Sequence, residues 1–540
     1  MDSTPMLLRD LAPALSVCLL LLATGCGRFE ADRRNVLVVV PAEDARSVAT
    51  GERYAREHRI PEQRILRLPL PAAPGSTEID WPTFQRQIAV PIEEYLARED
   101  PDDEIEILAT TRGLPLRIGH CEGQSGFVRD DARKRAPRGI AHDCRAAALD
   151  AALASLGRID PDKPGLRRAV NPFFRERRSF SEFRRAQPEA PLRFLVARLT
   201  DPATAETHTT ATDAGPAPPP LWRIATRPGT AQRSPATRAL LSPITRQLPR
   251  RGYRVCDDCD LPALAAGGSG VVGIASDPVA GIVYMDLEES ESLRRALAQR
   301  SISLGAPGLV IDLTPRMQRN AFDGRHGSEP AQRAGGGSWA PRFEQAIEDW
   351  TAVGARAIST HLDDPGLAGV TRPAVQIEGF VAGRSAVESH YRSVPLLAWT
   401  NVFLGDPLLR GPTRDLDPTD DPGGRLDAQI DSDGDGIPDD EDNCLAHANP
   451  AQRDSDGDGY GNRCDPDVDN DGIVESSWGR IYPMDARGDL EAIALTIRAG
   501  RFDPDHDLDG DGRVDETDLA LAQLWLFRGP GPSGRVGRAD

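Results

Sequence analysis

The chain has 540 residues, 39% of them hydrophobic, with a mean hydropathy of −0.41 and a formal charge of −19. That length accommodates roughly two to four domains, and no apolar run after the N-terminus is long enough to span a bilayer. Between Asp427 and Glu475, 16 acidic residues face only two basic ones, Arg453 and Arg463; the remainder is near neutral and lacks the basic excess that a nucleic-acid partner requires.

Residues 1–26 read as a targeting segment, set apart from the fold. Leu11–Leu22 is an apolar stretch interrupted by Pro13, and it runs into Ala23-Thr24-Gly25-Cys26. This resembles a bacterial lipobox, which implies a lipid anchor on Cys26, attachment to a membrane through it, and an exported location. The expected place is the outer membrane or cell surface, otherwise the secreted fraction. Cys18 and Cys26 belong to this leader. The other six cysteines form an even set, and in an oxidising compartment disulfides are the default. Cys256-Asp-Asp-Cys259 has the spacing of a redox or zinc motif, but no second pair supplies the remaining zinc ligands. The pairing of Cys121, Cys144, Cys256 and Cys259 stays open.

Residues 31–410 alternate between strand and helix patterns. Asn35–Val40 is a short continuous apolar run, as a strand buried on both faces requires. Residues 44–58 follow as a helix opened by Asp44. Arg64–Leu68 is a second strand, Asp80–Arg98 a helix with Pro91 as a possible kink, and Ile105–Thr110 a third strand. Phe194–Leu199, Trp222–Ala225, Val271–Ala275, Leu309–Leu313 and Ala355–Ser359 are further strands, and Arg342–Thr351 a helix. The expected fold is α/β, a mostly parallel sheet with helices on both faces. The Thr-, Ala- and Pro-rich stretch 202–238 reads as an exposed insertion and 318–338 as a second loop. Residues 411–428, rich in Pro, Asp and Gly, read as a linker.

Several patches resemble a bacterial family of secreted proteins of unknown function: Asn35–Val40, Ile107–Ile118, Asn171–Phe174, Leu195–Pro202 and Ser389–Leu409. The last contains Pro395-Leu-Leu-Ala-Trp399-Thr-Asn401-Val-Phe-Leu-Gly405-Asp406-Pro407-Leu408. Its Gly-Asp-Pro ending is also similar to gingipain-type, caspase-like cysteine peptidases, and so is His326-Gly327. That similarity implies a cysteine after the next strand, where Ser359-Thr-His361 stands instead. His120, His142, His361 and His390 are scattered, and Asp406 is more simply a turn cap than a catalytic acid. No catalytic residue is assigned. The domain reads as non-catalytic, with a divergent extracellular hydrolase as the alternative.

The acidic segment, 429–475, carries a repeated register. Asp431, Asp433, Asp435, Asp439 and Asp442 fall at loop positions one, three, five, nine and twelve, with the Ile437 carbonyl at seven. A hard cation such as calcium takes six to eight oxygens, and this spacing wraps a short loop around one ion. Asp454, Asp456, Asp458, the Tyr460 carbonyl, Asn462 and Asp465 repeat it. Asp467, Asp469 and Asp471 begin a third loop whose twelfth position is Trp478, leaving it incomplete. These loops resemble thrombospondin type 3 repeats. That resemblance implies bound calcium, and a disulfide between Cys444 and Cys464. With almost no apolar residues here, calcium and the disulfide would serve as the core. A last loop, Asp507, Asp509, Asp511, the Arg513 carbonyl, Asp515 and Asp518, is followed by Leu519, Leu521, Leu524, Trp525 and Leu526 at helical spacing. It resembles a dockerin-like EF-hand repeat within 476–530, with 467–478 and helix 489–499 as a degenerate partner. A working dockerin would bind a cohesin protein; a small calcium-stapled helical cap is the simpler expectation. The segment as a whole reads as a calcium-stiffened stalk.

Overall fold

In the computed structural model the described residues are 35–70, 78–119, 147–158, 170–200, 221–226, 254–257, 279–285, 304–313, 339–362, 369–397, 400–411 and 488–526. Most of 431–470 and 529–535 and positions 240, 244 and 474 complete them. The leader with Cys26, the strand expected at Val271–Ala275, the loop 318–338 with His326-Gly327, Cys121, Cys144 and Cys259 lie outside them. Among the described residues no helix is long and apolar enough to cross a membrane.

The chain enters β1 (Val36–Pro41), α1 (Ala45–His58) and β2 (Ile65–Leu68). All six residues of β1 are buried. Burying each such Val or Leu contributes about 1.5–3 kcal/mol, so this run belongs at the centre of a covered sheet. Asp44 caps α1 by accepting from Arg46 N, as its side chain and position require. β3 (Glu78–Asp80) leads into α2 (Trp81–Phe84), a π-helical segment (Gln85–Ala89) and α3 (Val90–Glu99). The helix expected over 80–98 is therefore continuous but locally widened just before Pro91, which has no N–H for the helical ladder.

β4 (Ile107–Thr111), β5 (Arg117–Gly119), β6 (Ala147–Ala148), α4 (Leu149–Leu153), α5 (Phe180–Ala186) and β7 (Leu195–Leu199) follow. Next come β8 (Leu221–Thr226), β9 (Arg254–Asp257), β10 (Val279–Met285) and β11 (Leu304–Asp312). The domain ends with α6 (Trp339–Ala352), β12 (Ala357–His361), α7 (Pro373–Val381), α8 (Ala386–Ser393) and β13 (Asn401–Gly405).

The ten-stranded sheet runs β2-β1-β4-β7-β13-β12-β11-β10-β8-β9. Every pairing is parallel except β12 with β13. Two five-stranded parallel halves therefore run in opposite senses and meet at that one antiparallel seam. The stretch expected as an exposed insertion, 202–238, contains β8, a strand inside the second half. Helices cover both faces. Along β13, Phe403 joins one core with Tyr54, Phe380 and Tyr391. Val402 and Leu404 join the other with Phe343, Ile347 and Trp350 of α6. This is the strand period of two sorting alternate residues to opposite faces.

The motif segments of this domain are held by structural contacts. Arg198 of β7 is buried against Asp150, with Nε and Nη2 donating to its two carboxylate oxygens at 2.9 and 2.8 Å. Its remaining N–H groups reach the carbonyls of Thr111, Leu114 and Pro115. Three guanidinium bonds thus serve one turn, the Thr110-Thr-Arg-Gly-Leu-Pro115 segment, and the other two tie it to Asp150. Asn171 Nδ2 donates to the carbonyls of Tyr391 and Val394 and ties its turn to α8. Gly405 has φ +105°, and a Cβ there would lie 2.1 Å from Arg356 O, so the Gly-Asp-Pro ending needs its glycine.

Candidate metal centre

The acidic module is built from short loops in which one aspartate folds the backbone around itself. Asp431 Oδ1 accepts from Gly434 N at 2.6 Å and its Oδ2 from Gly436 N at 2.9 Å. Asp454 does the same with Gly457 N and Gly459 N, at 2.7 and 3.1 Å. Asp507 repeats it with Gly510 N and Gly512 N, at 2.9 and 3.1 Å. In each loop the fifth-position N–H caps the third-position aspartate, and the seventh-position N–H caps the fifth at 2.8 Å. The glycine pairs 434/436, 457/459 and 510/512 all have positive φ, between 75° and 97°. Only glycine enters that region without strain, so three loops share one backbone path as well as one spacing.

Each path gathers carboxylates. Asp431, Asp433 and Asp435 have oxygens within 4.8 Å of one another, as do Asp454, Asp456 and Asp458, and Asp507, Asp509 and Asp511. Ile437, Tyr460 and Arg513 stand at the seventh position in each loop. The electrostatics are those of anions held together. Burial, then Asp435 and Asp442, pushes the Asp433 carboxyl up to about 7. Burial and Asp458 push Asp465 up to about 8, and burial pushes Asp518 up to about 6. Asp433 Oδ2 and Asp442 Oδ2 are buried with no hydrogen-bond partner among the described residues. Buried carboxylate oxygens without a donor cost free energy unless a cation meets them. The donor set, all oxygen, fits a hard divalent ion.

The third loop is completed from an unexpected place. Residues 471–473 and 478 lie outside the described residues. Asp489, the first residue of α9 (Asp489–Ala499), joins Asp467 and Asp469 within 4.8 Å. Its Oδ1 accepts from Val468 N at 2.8 Å and Asp469 N at 3.2 Å. Asp518, in α10 (Glu516–Gln523), accepts from Leu508 N at 2.8 Å and Asp509 N at 3.2 Å. Asp489 therefore plays the twelfth-position part in the third loop that Asp518 plays in the last. The spacing rule pointed to Trp478 because it counts along the chain, whereas Asp489 stands eleven positions further on.

Cys444 and Cys464 form a disulfide with Cα atoms 5.7 Å apart, both fully buried. They pack with Val474 and Trp525. Asn449 N donates to Asp435 Oδ2 at 2.7 Å, and Asn462 Oδ1 accepts from Ser455 N. Asp439 is buried near Arg177, and Asp515 caps α10. The loops are linked to one another through Arg453 to Asp507 at 2.9 Å and Asn470 to Asp456 at 2.9 Å.

In the α/β domain, Ser359 Oγ lies 2.5 Å from His390 Nδ1. Both are sealed from solvent, and burial, then His361, pushes His390 down to about 3, so it is neutral at physiological pH. His361 Nε2 accepts from Thr371 N. Asp406 caps its turn by accepting from Leu408 N at 3.0 Å, and it also accepts from Tyr54 OH.

Residues 428–452 and 453–477 each match the thrombospondin type 3 repeat, a calcium-binding unit. No curated protein and no solved structure matches the chain.

Proposed function

We propose that this is an exported calcium-binding surface protein whose C-terminal module holds four calcium ions as structural ligands. The observation that carries the reading is the loop hydrogen-bond register repeated around Asp431, Asp454 and Asp507. The first ion takes Asp431, Asp433, Asp435, the Ile437 carbonyl, Asp439 and Asp442. The second takes Asp454, Asp456, Asp458, the Tyr460 carbonyl, Asn462 and Asp465. The third takes Asp467, Asp469, Asp471 and Asp489, and the fourth Asp507, Asp509, Asp511, the Arg513 carbonyl, Asp515 and Asp518. The last two clusters each take an aspartate from the first turn of a helix, Asp489 of α9 and Asp518 of α10, and Leu490, Ile493, Leu508, Leu521 and Ala522 pack together at those helices. That pairing supports a dockerin-like unit of two EF-hand-like halves. Calorimetric titration of the metal-free chain with calcium tests the reading: saturable binding is expected, and absence of binding would remove it.

Export is supported from both ends of the chain. Exposed aspartate-rich loops need roughly 10⁻⁴–10⁻³ M calcium, the extracellular range, and the Cys444–Cys464 bridge needs an oxidising compartment. The lipid anchor rests on the Ala23-Thr24-Gly25-Cys26 segment. Wild-type protein should fractionate with membranes and Cys26→Ser should be released or unprocessed; a wild-type protein with an unmodified N-terminus, wholly in the medium, would exclude the anchor. We read the α/β domain as non-catalytic. The hydrolase alternative has the Ser359–His390 contact in its favour and the burial of both against it. Labelling of Ser359 by a fluorophosphonate probe under native conditions would establish that alternative.

A further inference from the structure

The calcium module does not stand away from the α/β domain as a stalk would. Arginines of the domain reach into it. Arg175, in the turn after Asn171, has Nη1 3.3 Å from His447 Nε2. Arg177 Nη2 is 3.9 Å from Asp439 Oδ2. Arg372, at the start of α7, donates through Nη2 to Leu524 O at 2.7 Å. Leu524 is the C-terminal cap of α10, so Arg372 places a cation on the carbonyl end of that helix, where the helix dipole favours it. Apolar contacts accompany these. Ala520 and Leu524 pack against the main core of the α/β domain. Leu524 also packs against the cluster of Cys444, Cys464 and Trp525, and the His447 ring lies tilted 5.3 Å from the Trp525 ring.

We propose that this contact is a calcium-gated interface within one chain: the arginine face formed by Arg175, Arg177 and Arg372 is the docking surface for the calcium-loaded C-terminal module, which leaves it when calcium is removed. The inference rests on the calcium reading above. Each acceptor on the module belongs to a segment that a loop holds in place. Asp439 is the ninth position of the first loop. His447 lies between the first two loops, three residues after Cys444, with its N–H bonded to Cys444 O. Leu524 ends α10, whose first turn is fixed by Asp515 and Asp518 of the last loop. The loops are also tied together, by Arg453 to Asp507, Asn462 to Pro504 O and Ser533 to Gly459 O. Loss of the ions unmasks repulsion among the carboxylates and moves these acceptors as a group. On the other side the arginines cannot follow. Arg372 is buried and Arg175 partly so; burial lowers both guanidinium groups, and Arg175 beside it helps bring Arg372 down to about 9. The 170–178 turn is anchored to α8 by Asn171 and by Arg392 Nε to Glu176 O at 2.5 Å, and to the turn before α8 by Arg384 to Arg178 O at 2.9 Å. A cationic face held from within its own domain, with Arg177 at its rim, thus meets a partner whose shape depends on bound cations.

The test is amide hydrogen exchange on the processed full chain, with calcium and after chelation, alongside a calcium titration of the same samples. Chelation should speed exchange across 170–178 and 370–373 by at least about tenfold, the response of a local opening rather than global unfolding. Arg372→Ala and Arg177→Ala should each speed exchange at 520–526 with calcium present while the number of bound ions stays the same. Arg177 is half-exposed, so its variant remains informative if Arg372→Ala does not fold. Calcium that binds and leaves with no change at 170–178 or 370–373 would overturn the gating and spare the calcium reading. A chain that binds no calcium would overturn both.

Discussion

Replacing Asp489 by asparagine removes one negative charge from the third loop and leaves an oxygen in the same place. The two backbone hydrogen bonds from Val468 and Asp469, at 2.8 and 3.2 Å, can therefore persist, and α9 keeps its first turn. The change is confined to the charge that faces Asp467 and Asp469. Outer-shell partners of a metal typically cost about 10–100-fold in affinity when removed, so loss of a charged direct ligand should cost at least that. In a calcium titration followed by metal analysis, Asp489→Asn should bind one ion fewer than wild type at a calcium level that fills the other three sites. Trp478→Ala, at the position the spacing rule marks, should leave the count unchanged. Equal stoichiometry and affinity in wild type and Asp489→Asn would refute the assignment of Asp489 as the twelfth-position ligand.

The raised carboxyls give the calcium affinity a pH dependence. Asp433 at about 7 and Asp465 at about 8 lie above the ordinary carboxylate value. In the metal-free module their protonation stabilises the fold; that contribution is complete below the ordinary value and is lost as pH rises through 7 and 8. Calcium needs the ionised form, so affinity moves the opposite way. From pH 8 to pH 6 the ionised fraction of Asp433 alone falls by up to about tenfold, and equal binding constants at the two values would contradict the reasoning. Cys464→Ser opens a bridge with a sequence separation of 20, costing about 3 kcal/mol in the chain-entropy account, and should weaken the first two sites together. Asp435→Ala should weaken the first site and the Asn449 turn it caps while leaving the 454–465 site unchanged, as titration of each variant would show. Arg198→Ala should destabilise the α/β domain by about 3–5 kcal/mol, because it strands Asp150 as a buried unpaired charge; a urea midpoint equivalent to less than about 1 kcal/mol would mean that the clamp is dispensable.

The parts of the fold with a local signal were legible in the sequence. Val36–Val40 is a continuous apolar run, Leu195–Leu199 is one broken only by Arg198, and Asp44 announces α1. The direction of a strand leaves no such trace, so the reversal at β12 and β13 could not be read. β10 was missed because Ala280 and Gly281 interrupt its apolar run. α8 was missed because Glu388, Ser389, His390, Arg392 and Ser393 leave it only Ala386, Val387 and Tyr391 as apolar residues, although it is wholly buried. Glu388 and Arg392 are satisfied by distant partners, Phe180 N and Glu176 O, which periodicity cannot anticipate. The calcium loops were legible because their ligands lie within twelve residues and their backbone needs glycine at fixed places. Asp489 was not, because its role depends on a return of the chain. The docking of the module was equally hidden, since Arg175 and Arg372 look like any surface arginine until Leu524 and His447 are placed beside them.

Crystals grown in calcium and measured where calcium scatters anomalously would test the central claim most directly. The account predicts four anomalous peaks, one within each carboxylate cluster, with the third lying between Asp467, Asp469 and Asp489. Well-ordered density for 431–442 and 454–465 with no peak in either loop would contradict it.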